Sequence, residues 1–198
     1  MSCIVIVGGT GTIGSAIAEG LGSEHDVFRV GHTSGPYQVD MTSRASIEDL
    51  LKSLPTVDHL VSAAGEAKFG ALSELTDEDF EVSLEGKLMG QIDLVRVGRD
   101  YVADGGSFTL TTGVLSREPV PGSAAISTVN AGVEGFVRAA DLELDRELRI
   151  NAVSPGWVAE TLESMGRDPE EGVPVAEVAE AYIDLLGDSR SGEVVSVT

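Results

Sequence analysis

The chain has 198 residues, of which 33 are Asp or Glu and 13 are Lys or Arg, for a formal net charge of −20 at pH 7. A chain of this length is expected to form one domain, spanning 1–198, around one core. So large a negative charge repels phosphate backbones and anionic lipid, so nucleic acid and membrane surfaces are not expected partners.

The longest apolar run at the start, Cys3–Val7, is too short to cross a bilayer and reads as a buried strand. No basic stretch precedes it, so no signal peptide is read there. Cys3 is the only cysteine, which excludes an internal disulfide. A cytoplasmic location is therefore expected. Thr12–Leu21 follows as a helix, with Ile13, Ala16, Ile17, Ala18 and Leu21 forming an apolar stripe. Val27–Val30 reads as a second strand, Ser46–Ser53 as a short helix and His59–Ser62 as the core of a third strand. Asp77–Tyr101 is mostly helical in pattern, punctuated by Gly86, Gly90 and Gly98. Strands follow at Ser107–Thr111, Arg149–Val153 and Glu193–Val197, with helices at Ser123–Leu144 and Val175–Leu186.

Apolar strands alternating with helices predict parallel strands covered on both faces. Right-handed crossovers then give a single α/β domain, a Rossmann-type doubly wound sheet. Ligands of such sheets bind beyond the carboxyl ends of the strands, so the loops after strands carry the candidate chemistry.

The first of these loops reads Gly8-Gly9-Thr10-Gly11-Thr12-Ile13-Gly14. Glycine is needed where the chain turns tightly and where bare backbone meets a pyrophosphate. The free amides and dipole of the following helix favour the anion. Gly8, Gly11 and Gly14 have that spacing between a strand and a helix, which points to a dinucleotide. The second strand ends in Gly31-His32-Thr33-Ser34 with no acid to hold ribose hydroxyls. His32, Thr33 and Ser34 offer donors to a 2′-phosphate, and Arg29 is close in sequence, so NADP(H) is favoured over NAD(H). The remaining histidines, His25 and His59, lack metal-ligand spacing, and no metal is expected.

These residues resemble the short-chain dehydrogenase/reductase family, and the resemblance spans nearly the whole chain. Asp40-Met41 resembles the family's Asp-hydrophobic pair at adenine. Ser62-Ala63-Ala64-Gly65 resembles its turn after the fourth strand. Pro155, Gly156, Trp157 and Val158, after Ile150–Ser154, resemble its loop beside the nicotinamide. Membership implies a nicotinamide cofactor and an oxidoreductase acting on a small carbonyl or alcohol.

The family's proton donor is a Tyr followed four residues later by a Lys. Aligned through Ala131–Phe136, those positions fall on Ile126 and Asn130. The family's Ser falls on Thr112 or Gly113, and its helix Asn on Lys87. None of Tyr37, Tyr101 and Tyr182 lies near these loops in the pattern. Isoleucine has no proton to give, and general acid catalysis is worth about 10²–10⁴-fold in rate. Lys87, Thr112, Ser127 and Asn130 are the candidate substitutes. Lys87 either acts as a proton donor or stabiliser with its pKa lowered by burial, or fills space and bonds helix carbonyls. The residues from Val158 to Gly172 make only a small lid, in which Trp157 either stacks on a ligand or anchors the loop.

Three readings follow: an NADP(H)-dependent oxidoreductase with a non-standard site, a catalytically inactive NADP(H) sensor or regulator, or a different chemistry on the same scaffold. A small-molecule substrate is the expected partner in the first. The small-residue helices around Ala131, Gly132, Gly135, Ala139 and Ala140 also predict a homodimer or homotetramer.

Overall fold

The computed structural model describes all residues, 1–198. The elements in chain order are β1 (Cys3–Val7), α1 (Thr12–Leu21), β2 (Asp26–Gly31), β3 (Tyr37–Gln38), α2 (Arg44–Ser53) and β4 (Val57–Ser62). Then come α3 (Asp77–Ser83), a π-helical segment (Leu84–Met89), α4 (Gly90–Gly98), β5 (Val102–Thr111) and α5 (Ala124–Ala140). The chain finishes with β6 (Arg149–Pro155), α6 (Ala159–Ser164), α7 (Val175–Gly187) and β7 (Val194–Val197).

All strands pair in parallel in one seven-stranded sheet of order β3-β2-β1-β4-β5-β6-β7. This is the doubly wound arrangement expected from the alternating pattern. The winding reverses between β1 and β4, which opens a crevice beyond their carboxyl ends. Side-chain alternation along β1 divides the core in two. Val5 and Val7 enter a cluster covered by α2, α4 and α5, with Ile47, Leu94 and Val133. Ile4 and Ile6 enter the opposite cluster, covered by α1 and α7, with Ile17, Tyr182 and Leu185. Each fully buried Ile or Leu stabilises the fold by about 1.5–3 kcal/mol.

Some boundaries differ from the sequence pattern. The expected helix Asp77–Tyr101 is three segments, because its middle turn, which contains Gly86, winds as a π-helix. Gly65 presses on that turn: a Cβ there would lie 2.9 Å from Lys87 Cγ. α5 stops at Ala140 rather than Leu144, and β3 and α6 are too short for periodicity to signal. α3 closes its own amino end, since Thr76 and Asp79 form a reciprocal capping box. No helix is long and apolar enough to cross a membrane.

His59 points from β4 to the Ser107 hydroxyl at 2.8 Å, and burial holds its pKa below the usual value of 6.5. The unfolded chain therefore binds this proton more readily than the folded one, and stability falls as pH drops below that value. Denaturant titrations of wild type and His59→Gln should diverge between pH 7.5 and pH 5.5, the variant losing less. Parallel pH dependences would refute that assignment.

Candidate functional site

The loops after β1, β4, β5 and β6 enclose a trench beyond the carboxyl edge of the sheet. Its wider end, about 450 Å³, is lined by Gly8, Thr10, Gly11, Gly31, His32, Asp40, Met41, Glu66, Glu85 and neighbours. The narrower end, about 290 Å³, is lined by Ile13, Lys87, Thr112, Leu115, Ile126, Asn130, Pro155, Gly156, Trp157, Val158 and neighbours. Ala63, Ala64 and Gly65 line both ends and mark the middle of the trench.

The glycine loop has two kinds of glycine. A Cβ on Gly8 would lie 2.5 Å from the Ala63 carbonyl oxygen, and one on Gly14 would lie 2.2 Å from the Gly8 oxygen. Both are demanded by the protein's own packing. Gly11 is not: φ is −86°, and its nearest neighbour to a Cβ would be the Gly8 oxygen at 3.4 Å. Gly11 is also the N-cap of α1 and supplies no side-chain bond to it. The amides of Thr12, Ile13 and Gly14 find no acceptor in the protein. No acid sits in the first turn of α1. The helix start is thus a set of open donors at the positive end of a dipole.

Arg29 lies differently from the sequence expectation. Its Nε donates to the Gly9 carbonyl and its Nη2 to the Ser15 hydroxyl, each at 2.7 Å. The guanidinium clamps the glycine loop and does not face the ribose end. His32 lines the trench there, while Thr33 and Ser34 do not, although the Ser34 and Thr10 hydroxyls are 3.5 Å apart. Asp40 accepts from the Thr42 amide and hydroxyl, which hold its pKa below the usual carboxylate range.

At the narrow end the four candidate catalytic residues separate. Ser127 bonds the Ser123 hydroxyl at 2.9 Å and does not line the trench. Thr112 lines it, but its hydroxyl donates to the Asn130 carbonyl at 3.0 Å, so that proton is committed. Asn130 is 1% exposed. Its Nδ2 donates to the Gly113 carbonyl at 3.3 Å, and its Oδ1 has no partner. Lys87 is 8% exposed, and its Nζ has a single partner, the Thr112 carbonyl at 3.4 Å. That carbonyl follows β5, so Lys87 does not serve the helix carbonyls. Burial alone lowers its pKa to about 8.

The sequence pattern placed no tyrosine near these loops, and the structure corrects this. Tyr182 on α7 reaches Thr111 Oγ1 at 2.5 Å, and Thr111 lines the narrow end. The phenol is itself fully buried, lies outside the lining, and has its pKa pushed up by that burial. It is therefore not an acid available to the trench. Sequence reading also missed Glu134, a buried carboxylate on α5 bonded to Ser116 at 2.5 Å and to Arg138 at 3.1 Å. A charged residue on an otherwise apolar helix face was the available signal.

A family model described as enoyl-(acyl carrier protein) reductase matches residues 15–192. The chain belongs to the short-chain dehydrogenase/reductase family. A protein of solved structure from Listeria innocua is 38% identical, covers 100% of both chains and superposes with a TM-score of 0.95. A small-chain dehydrogenase solved in complex with NADPH is 27% identical over 99% of this chain and 96% of that one, with a TM-score of 0.88. A hydroxynaphthalene reductase from Aspergillus fumigatus is 29% identical over 134 residues, 65% of this chain. This chain spans about half that reductase's length, 49%.

The chain carries a buried lysine with no counter-ion where the trench narrows. An unpaired buried ammonium destabilises the native state. Its native pKa of about 8 lies below the ordinary 10.5, so the penalty is complete below pH 8 and relieved as pH rises towards 10.5. Lys87→Met should raise unfolding stability by about 2–3 kcal/mol at pH 7. The gap to wild type should close above pH 8; a variant less stable at every pH would contradict the unpaired charge.

Proposed function

We propose that this chain binds NADP(H) along the trench and is an oxidoreductase of a small carbonyl or alcohol. The observation that carries the reading is the open start of α1, where three amides lack acceptors and Gly11 leaves space that the fold itself does not require. A diphosphate supplies the missing acceptors. The orphaned Asn130 Oδ1 fits the same group, since a ribose hydroxyl at the narrow end would donate to it. A related chain solved with NADPH supports the choice of dinucleotide.

The residues proposed to hold the cofactor are Gly8, Thr10, Gly11, Thr12, Ile13 and Gly14 at the diphosphate, with Asp40 and Met41 at the adenine. Ala63, Ala64 and Gly65 form the floor, and Pro155, Gly156, Trp157 and Val158 close over the nicotinamide. His32, Thr33 and Ser34 remain the proposed donors to a 2′-phosphate, with Thr10 beside them. Arg29 is withdrawn from that role. The absence of an acid at the end of β2 removes the residue that would prefer a free ribose.

When bound, the dihydronicotinamide supplies a hydride. The chain's own residues supply the rest. Leu115, Ile126 and Trp157 give the narrow end an apolar wall, which fits an uncharged substrate and excludes water. Phe69 packs edge-on against Trp157 at 6.3 Å, and the Arg167 guanidinium lies 4.9 Å from the indole centroid. These contacts tie Trp157 to the loop after β4 and to the lid.

The competing reading is a non-catalytic NADP(H) sensor, which Ile126 at the family's acid position favours. Calorimetric titration with NADPH, followed by an NADPH-consumption assay over aromatic and aliphatic ketones and quinones, separates the two. Turnover supports the oxidoreductase; saturable binding with no turnover supports the sensor. No uptake of NADPH or NADH would end both readings.

Gly11→Ala is the sharper variant. It should melt within a few degrees of wild type yet bind NADPH roughly tenfold or more weakly, because a methyl group intrudes on charge-assisted contacts. Unchanged affinity would remove the diphosphate from this loop.

We also propose a homodimer or homotetramer paired through α4 and α5. Val95, Phe136, Ala139, Ala140 and Leu144 line a groove there, and a Cβ on Gly135 would meet nothing within 4 Å. Light scattering that finds a monomer would overturn this.

A further inference from the structure

The lost Tyr-x-x-x-Lys pair leaves one ionisable side chain lining the narrow end of the trench, Lys87. Three observations make it unusual for a lysine. It sits on a π-helical turn, a form that recurs at functional sites and here carries Gly65 pressed against its stem. It is almost fully buried, and no carboxylate pairs with it. Its ammonium has one protein partner at 3.4 Å, although it carries three donors.

The charged groups on the surrounding elements do not compensate it. Glu66 follows the turn after β4, and Glu85 lies on its own segment; both line the wide end of the trench. Glu134 on α5 is engaged by Arg138 and Ser116. Gln91, Asn130 and Thr112, the other polar neighbours, are neutral. Burial is the sole influence on Lys87.

Resting on the dinucleotide reading above, we propose that Lys87 is the proton donor of this site and that its charge makes the site prefer the reduced dinucleotide. In reduction, the carbonyl carbon accepts the hydride pair given up as the dinucleotide is oxidised. The carbonyl π pair moves onto oxygen, and that oxygen takes a proton from Nζ. The products are an alcohol, a neutral amine and a pyridinium ring. The pocket therefore holds one positive charge before the step, on Nζ, and one after it, on the ring. Two positive charges never share the buried space, an arrangement its low dielectric would penalise. The amine regains its proton from solvent when the oxidised dinucleotide leaves. Ile126 needs no proton in this scheme; it is part of the apolar wall that keeps Nζ dry.

The scheme has a binding signature that needs no substrate. NADPH and NADP⁺ differ by the ring charge and share every phosphate contact. Any pH dependence of those shared contacts therefore cancels in the ratio of their affinities. At pH 7 the wild-type protein should bind NADPH at least about tenfold more tightly than NADP⁺, and the ratio should fall towards unity by pH 9.5. NADP⁺ binding near pH 8 should release protons, read as a heat that changes with buffer ionisation enthalpy. Lys87→Met should abolish the pH dependence of the ratio and the proton release. Lys87→Gln gives the same test with a polar side chain should the methionine perturb the loop.

A second readout is turnover of phenanthrenequinone with NADPH, expected to fall about a hundredfold or more in either variant while NADPH still binds. Affinity ratios that match in wild type and both variants at pH 7 and pH 9.5 would overturn the proposal and leave the dinucleotide reading standing. So would unreduced turnover in Lys87→Met. Absence of binding by the wild type would overturn both.

Discussion

Where the loops after β1 and β4 meet, backbone packs on backbone, and the site depends on that approach. Gly8 turns with φ +81° directly against the Ala63 carbonyl, leaving no room for a side chain. The same turn accepts the first helical residues of α1 through the Gly14 contact, so the helix starts close to the sheet. Because winding reverses between these two strands, their loops diverge above the contact and open the trench. Arg29 then fixes the glycine loop from below with two bonds, to Gly9 and Ser15. The free amides of α1 are held in place by the packing around them.

The polar groups of the narrow end divide by whether they are satisfied. Thr111 donates to the Ser62 carbonyl and accepts from Tyr182; Gln91 bonds the Thr111 amide and carbonyl. These bonds hold the end of β5 rigidly and leave it nothing to offer a substrate. Asn130 Oδ1 and Lys87 Nζ are the exceptions, one an acceptor without a donor and the other a cation without an anion. Leaving such groups buried costs stability, and a fold tolerates that cost where a ligand removes it.

Three separate loops pack together beside the narrow end of the trench. Phe69, after β4, fills the space beside Gly122, after β5, and the Gly70 amide bonds the Gly122 carbonyl at 2.9 Å. The segment after β6 leaves and returns through a single bridge between Val158 and Val173. Its neck is tight, since a Cβ on Gly172 would lie 2.7 Å from the Trp157 carbonyl. The lid between them is short and anchored at both ends.

The parallel α/β alternation, six of the seven strands and the glycine loop are all written in local pattern, while the short β3 and the strand order are not. Strand and helix periods, glycine spacing and residue identity are properties of neighbours along the chain. Tertiary packing decided what those neighbours do. Arg29 looked available to a phosphate because sequence distance says nothing of direction, and the Gly9 carbonyl and the Ser15 hydroxyl claim it. Tyr182 looked remote because it lies 71 residues from Thr111, yet α7 lays it under β5. Lys87 is the leading candidate substitute in the sequence, and Ser127 offers a hydroxyl beside it in the pattern. The packing of Gly65 against the π turn and the burial of Lys87 separated them, because burial, unlike composition, depends on every element at once.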